Sequence, residues 1–178
     1  MTPPHYVLTG APSSGKSTLL HELAHRGYKT LDETATRIIE EETSAGTDYK
    51  QLRASAYDFQ HRILRMQLER EAALPKDELI ILDRAIPDSI AFYKRQNVPL
   101  DDELREACAA ARYRRVFILD LISRENYLND ESRWETWEDV QELDRMLEAA
   151  YVDLGHEVVR VPPVSVPERV DFVLARLD

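Results

Sequence analysis

Gly10-Ala11-Pro12-Ser13-Ser14-Gly15-Lys16-Ser17-Thr18 is the stretch on which the reading of this 178-residue chain turns. It satisfies G-x-x-x-x-G-K-[ST] at every fixed position. An apolar run, Tyr6-Val7-Leu8, precedes it, and a helical pattern follows to Arg26, the strand–loop–helix setting that a phosphate-binding loop requires. Gly10 and Gly15 allow backbone conformations closed to most residues and a close approach to phosphate. The loop amides form a concave nest at the positive end of the following helix dipole. In this pattern Lys16 reaches the β- and γ-phosphates, and the Ser17 hydroxyl binds Mg²⁺. Residues Gly10 through Thr18 are therefore the candidate nucleotide-binding residues, Ala11, Pro12, Ser13 and Ser14 included. ATP and Mg²⁺ are the expected cofactors.

Leu79-Ile80-Ile81-Leu82-Asp83 is the second signal: an apolar run ending in an acid, the form of a buried parallel strand. In a phosphate-loop protein such an acid holds Mg²⁺, often through water, so Asp83 joins Ser17 as a candidate metal ligand. Arg84 follows directly and is placed for a substrate or phosphoryl oxygen. Pro87-Asp88-Ser89 then opens a helix through Tyr93, with Asp88 or Ser89 as its expected cap.

Between these two signals Gly27 ends the first helix, and Tyr28 to Leu31 reads as a second strand. Asp32 and Glu33 stand at its C-terminal end, where α/β sheets line their ligand crevice. One acid is expected to cap the helix Thr34 to Glu42. The other, Glu33, is expected to act on a substrate hydroxyl. Arg37, one turn further on, could pair with Glu33 or reach a substrate. A long helix is expected from Gln51 to Leu74, with Leu52, Phe59, Ile63 and Met66 on its buried stripe. Tyr57, Phe59 and Gln60 either line a substrate pocket beside that stripe, or the aromatics are core and Gln60 is surface.

The amphipathic segment Asp101 to Arg112 puts Cys108 on its core face with Leu104, Ala107 and Ala111, which argues against a nucleophilic role. Arg115 to Asp120 and Glu157 to Val161 read as the fourth and fifth strands. Residues 121–135 between them have no clean period and read as a lid over the phosphates. Arg133 first, and Arg124 second, are its candidates for meeting charge on a transferring phosphoryl group. Thr136 to Asp139 resembles a capping box opening a helix to about Leu154, with Val140, Leu143, Leu147 and Leu154 buried. The last helix, Pro167 to Leu177, buries Val170, Val173, Leu174 and Leu177.

His21-Glu22-Leu23-Ala24-His25 matches H-E-x-x-H, a zinc-hydrolase pattern. At 100° per residue both histidines fall nearly opposite the face of Leu19, Leu20 and Leu23. A solvated polar face is the expected outcome.

The net charge of −10 and pI of about 5.0 argue against a nucleic-acid partner and require any phosphate to be held by a focused local site. One cysteine allows no intrachain disulfide. The first residues lack a signal-peptide layout, and no apolar run approaches membrane-spanning length, so a cytoplasmic protein with no membrane partner is expected. The alternation β-α-β-α-α-β-α-α-β-α-β-α predicts a single domain over 1–178: an α/β fold whose parallel sheet of about five strands carries helices on both faces. The oligomeric state is left open.

These motifs carry a resemblance over nearly the whole chain. The loop Gly10 to Thr18, Glu33-Thr34-Ala35-Thr36-Arg37, Asp83-Arg84 with Pro87-Asp88, and the tail from Val161-Pro162 to Glu168-Arg169-Val170 resemble a family of small AAA-type ATPase domains related to the ribosylnicotinamide kinase domain. More widely the layout is similar to nucleoside and nucleotide kinases. That resemblance implies a three-layer P-loop NTPase fold with strand order 2-3-1-4-5 and a lid. It implies an acid after the second strand as base, here Glu33 or Asp32, an Asp-Arg pair after the third strand, here Asp83 and Arg84, and lid arginines, here Arg124 or Arg133. The expected activity is an ATP-Mg-dependent kinase acting on a small nucleoside-, nucleotide- or ribosyl-type acceptor. The alternative is a regulatory switch that hydrolyses ATP or GTP slowly and acts through a protein partner; an Asn-Lys-x-Asp guanine-reading segment is missing.

Overall fold

A computed structural model describes residues 2–52, 54–125 and 135–177. Strands β1 (His5–Thr9), β2 (Lys29–Leu31), β3 (Ile80–Asp83), β4 (Arg115–Leu119) and β5 (Val158–Val161) form one parallel sheet in the order β2-β3-β1-β4-β5. The sheet order is the expected one. β1 is central, with Leu8 opposite Asp83 on one side and Thr9 opposite Ile118 on the other. This register places the loop leaving β1 directly beside the acid that ends β3.

The strands are buried on both faces, which is why they read as unbroken apolar runs. Tyr6, Leu8, Ile81, Phe117 and Leu119 point to one face. There they meet Leu19 and Leu23 of α1 (Lys16–His25) and Val170 and Val173 of the C-terminal helix. Val7, Ile80, Leu82, Val116 and Ile118 point to the other face. They meet α4 (Ala56–Ala72), α5 (Asp88–Arg95) and α6 (Asp102–Ala110) through Leu64, Tyr93, Leu104 and Cys108. The remaining helices are α2 (Thr34–Ser44), α3 (Tyr49–Leu52), α7 (Trp137–Val152) and α8 (Val166–Leu174). The capping box at Thr136 and Asp139 forms as the sequence suggests. α5 packs along α7 through Ala91, Val140, Leu143 and Leu147.

Two helical expectations are corrected. The helix read from Gln51 to Leu74 is two helices. α3 ends at Leu52, and Ser55 caps α4 by accepting from the Asp58 amide at 3.2 Å. The buried face of α4 carries Phe59, as expected, with Gln60, Leu64 and Gln67, whereas Leu52, Ile63 and Met66 are only partly buried. That face lines a cavity as well as a core, so it accepts glutamines that an apolar-period reading assigns to solvent.

Candidate active site

The loop after β1 and the first turn of α1 form one wall of an open cleft of about 1010 Å³, lined by residues 11–18 with Glu33, Arg84, Phe92, Arg95, Gln96 and Glu135. Gly15 has φ of 85° and Ser13 φ of 69°, both left-handed, which curls the chain around the cleft. At Gly10 a Cβ would stand 2.7 Å from Ser14 Oγ and 3.2 Å from the Leu119 carbonyl, so the close approach there demands glycine. No side chain caps α1 and its first turn holds no acid, so its amides face the cleft open to an anion. Ser17 and Thr18 are exposed on the same side.

Lys16 Nζ donates to Asp83 Oδ1, both side chains being nearly buried. Burial pushes the Asp83 carboxyl up, opposed by Lys16. Ser17 and Asp83 therefore offer one hydroxyl and one carboxylate. Among the described residues no cluster of three or more His, Cys, Asp or Glu could cage a metal. This donor set suits a Mg²⁺ ion that keeps phosphate oxygens and water as its other ligands.

Arg84 occupies a left-handed conformation at the end of β3, φ 64°, held by its amide bond to the Leu8 carbonyl at 3.1 Å. Such a conformation in a non-glycine residue stores strain, and the side chain it aims is central to the site. Its Nε donates to Glu33 Oε1 at 2.7 Å, and its Nη1 to Asp88 Oδ1 at 3.1 Å and Thr9 Oγ1 at 3.3 Å. Its carbon Cζ lies 5.0 Å from the Phe92 ring centre. Burial works against the Arg84 charge, but Glu33, Asp88 and Asp83 outweigh it and raise its pKa. Burial likewise opposes the Glu33 charge, yet Arg84 and Lys16 hold its carboxyl down at about 2.

Of the two acids after β2, neither caps α2 with its side chain. Glu33 stands at the N-cap position but turns to Arg84 and Thr36, and Asp32 pairs with Arg70. The expectation of a side-chain cap yields to stronger charge-assisted partners. Arg37 is exposed and pairs with Glu41 rather than Glu33. Pro87 is the N-cap residue of α5 and no side chain caps the helix, so neither Asp88 nor Ser89 plays the expected capping role; Asp88 lies in the first turn and turns to other partners. It accepts from the Ala85 amide at 3.0 Å, from Thr9 Oγ1 at 2.5 Å, from Arg84 and from the Tyr151 hydroxyl.

A second cavity of about 140 Å³ adjoins the cleft and shares Glu33, Arg84, Phe92 and Gln96 with it. Phe59 and Gln60 line it, together with Thr34, Ile39, Ile63 and Gln67. Tyr57 instead lies half-exposed and donates to Asp101.

Arg124 is exposed and stands 3.9 Å from Glu138. Arg133 lies outside the described residues. His21 and His25 sit on the exposed face of α1 with ring centres 4.3 Å apart, as the helical projection indicates. Cys108 is buried and its thiol is pushed up to about 12 by burial, in keeping with an inert core role. Sequence reasoning missed Arg95, which pairs with Glu135 at 2.7 Å on the cleft wall. It also missed Arg169, whose buried guanidinium donates to the carbonyls of Ser14, Pro162 and Asp120 beneath the phosphate loop. The wider tail pattern was visible, but nothing in it pointed back to the loop.

The fold and the phosphate loop are those of a P-loop NTPase. A family model described as an AAA domain matches residues 5–169, and the chain belongs to that family. No curated protein matches the sequence. Among solved structures, the chain is similar to deoxyadenosine kinase from M. mycoides with bound dATP, at 18% identity, TM-score 0.70, and coverage of 97% of this chain and 98% of that one. It is similar to thymidylate kinase from Ehrlichia chaffeensis at 16% identity, TM-score 0.69, covering 98% of each chain. It also resembles NadR protein in complex with NR, at 21% identity and TM-score 0.61, over 88% of this chain and 43% of that one. At these identities the likeness is one of fold. Among the described residues no helix is long and apolar enough to cross a membrane.

Proposed function

We propose that this chain is an ATP-Mg-dependent kinase that transfers the γ-phosphoryl group to a hydroxyl of a small nucleoside-, nucleotide- or ribosyl-type acceptor. The observation that carries this reading is the shared wall. The nucleotide cleft and the smaller cavity meet at Glu33, Arg84, Phe92 and Gln96, so two ligands would meet end to end there. A hydrolase needs only the first.

In this reading the amides of residues 10–18 cradle the phosphates, and Lys16 leaves Asp83 to reach the β- and γ-phosphates. That exchange frees the Asp83 carboxylate to hold Mg²⁺ together with Ser17. A Mg²⁺ ion held there would offset negative charge on the phosphates. Glu33 accepts the hydrogen bond of the acceptor hydroxyl and orients its oxygen toward the γ-phosphorus. The oxygen forms the new P–O bond as the bond to the β-phosphate oxygen breaks, ADP leaves, and the hydroxyl proton passes to Glu33. A carboxylate with a pKa of about 2 is a weak base, which suits a loose transition state in which the proton moves late. Arg84, and Arg133 or Arg124 from the lid, meet charge on the group in transit.

The test is ADP release from ATP-Mg²⁺, alone and with nucleosides, nucleotides and ribosylated cofactor precursors, with Lys16→Ala as control. Strong stimulation by one acceptor, lost in the variant, is expected. Slow release that needs Lys16 but ignores every acceptor would replace this reading with the regulatory switch.

A further inference from the structure

The Asp88 carboxylate gathers donors from β1, from the turn after β3 and from α7. Its Oδ1 accepts from Thr9 Oγ1 at 2.5 Å and from Arg84 Nη1 at 3.1 Å. Its Oδ2 accepts from the Ala85 amide at 3.0 Å and from the Tyr151 hydroxyl. Two donors on each oxygen fill what a carboxylate can accept. Of the four only Arg84 is charged, so the three neutral donors set the direction in which the carboxylate meets the guanidinium. Asp88 is 3% exposed, and a donor removed there leaves a dry, unmet lone pair.

Arg84 depends on that direction. Its Nε and Nη1 are held by Glu33, Asp88 and Thr9, while its Nη2 makes no bond among the described residues. Held along one edge, the fork keeps Nη2 for a ligand in the cleft that Arg84 lines. The member of this chain furthest from the chemistry is Tyr151. It comes from α7, is fully buried, and lines neither the cleft nor the smaller cavity. Its ring belongs to the apolar core and stands edge-on to His156, with ring centres 5.7 Å apart. Burial and the neighbouring Asp88 push its phenol well above the ordinary range, so the hydroxyl stays a donor at any working pH. Phenylalanine would fill the same space, so the core does not require that hydroxyl; Asp88 does.

Resting on the kinase reading above, we infer that Tyr151 is a positioning residue for phosphoryl transfer: through Asp88 its hydroxyl fixes the direction of Arg84 toward the group in transit, from a place that lines neither ligand site. Without the hydroxyl, Asp88 Oδ2 is short of a donor. The carboxylate turns, and the guanidinium follows it away from Glu33. A displacement of about 1 Å in a group that meets the transition state costs up to about a hundredfold in rate.

Two measurements on Tyr151→Phe test this. The first is the ¹⁵N–¹H NMR signal of the Arg84 side-chain Nε–H in the nucleotide-free protein, which needs neither acceptor nor catalysis. The variant is expected to exchange that proton with solvent about tenfold faster than the wild type, as the bond to Glu33 loosens. The second is turnover of ATP-Mg²⁺ with the best acceptor of the panel above, or with water where none stimulates. Here kcat is expected to fall about tenfold, with the KM for ATP within about twofold. In an Arg84→Lys background the same substitution is expected to change kcat by less than about twofold. Tyr113→Phe is the control. It takes a buried hydroxyl from Glu71, whose carboxylate does not bond to Arg84, and is expected to leave both readouts as in the wild type. The inference is overturned by an unchanged Arg84 signal, by an equal loss of kcat in both backgrounds, or by an equal loss in Tyr113→Phe. If no acceptor stimulates turnover, the kinase reading fails, while the Arg84 signal and the same comparison made on hydrolysis still decide the role of Tyr151.

Discussion

Arg84 Nε donates to Glu33 Oε1 at 2.7 Å across the line where the nucleotide cleft meets the smaller cavity. The pair joins the end of β3 to the turn after β2, and each residue sets the other's charge. Glu33→Gln is expected to lower phosphoryl transfer by about 10²–10⁴-fold while leaving ADP binding within a few-fold. Because the Glu33 carboxyl sits at about 2, it is ionised throughout the assay range. The pH profile of kcat/KM should then show no acid limb from this group above about pH 4. The depressed value also contributes to stability. That contribution is complete above the ordinary glutamate value of 4.5 and is lost as pH falls toward 2.

Lys16 and Asp83 form the other pair of the site, and in the protein without nucleotide they satisfy each other. Lys16→Ala leaves a buried carboxylate with its cation gone, a loss of about 3–5 kcal/mol. The Asp83 carboxyl is already raised by burial despite Lys16, and removing the lysine raises it further. A folded-state value above the unfolded one means the penalty grows as pH rises through the carboxylate range. Thermal melts should therefore show the variant further below the wild type at pH 8 than at pH 5. Addition of ATP-Mg²⁺ should raise the wild-type Tm and leave that of the variant unmoved.

Arg169 holds the phosphate loop from below. Its Nε donates to the Pro162 carbonyl at 3.0 Å and its Nη1 to the Ser14 carbonyl, and a Cβ on Gly15 would stand 3.1 Å from that Nη1. A lysine cannot make these bonds at once, because its single ammonium lacks the planar fork. Arg169→Lys is expected to weaken both ATP and ADP about tenfold or more while leaving the acceptor KM unchanged. A fall in melting temperature without that split between the two substrates would reduce Arg169 to a packing role.

Much of this arrangement could be read from the chain because its signals are local. The phosphate loop is nine consecutive residues, and Asp83 ends an apolar run that can only be a buried strand. Their meeting follows from the strand order that the resemblance implied. Asp88 was legible only as a candidate helix cap. Two of its actual partners, Thr9 and Tyr151, lie 79 and 63 residues away and come from different elements. For Gln60 the chain left pocket wall and surface both open, and Gln67 went unnoticed, for a different reason. Hydropathy places a glutamine outside, whereas a helix wall facing a ligand cavity turns polar side chains inward. The acids after β2 were located correctly, but their arginine partners, Arg84 and Arg70, lie 51 and 38 residues downstream and carry no local mark of that pairing.

Glu71 gives the last prediction. Its carboxylate accepts from the Tyr113 hydroxyl at 2.7 Å, from the Gln67 amide at 2.7 Å and from the Ile86 amide at 3.1 Å. Burial outweighs these donors and raises its pKa to about 7, with the nearby Asp88 adding to the rise. The folded protein thus keeps Glu71 protonated over a range in which the unfolded chain, with an ordinary value of 4.5, has released the proton. Stability from this group is full below about pH 4.5 and falls as pH rises to about 7, by about 3 kcal/mol in all. Glu71→Gln carries no such titration. Urea unfolding of wild type and variant should show the variant gaining on the wild type by about 3 kcal/mol between pH 5 and pH 8. A difference that stays constant over that interval would mean that Glu71 is ionised throughout, its three donors outweighing burial.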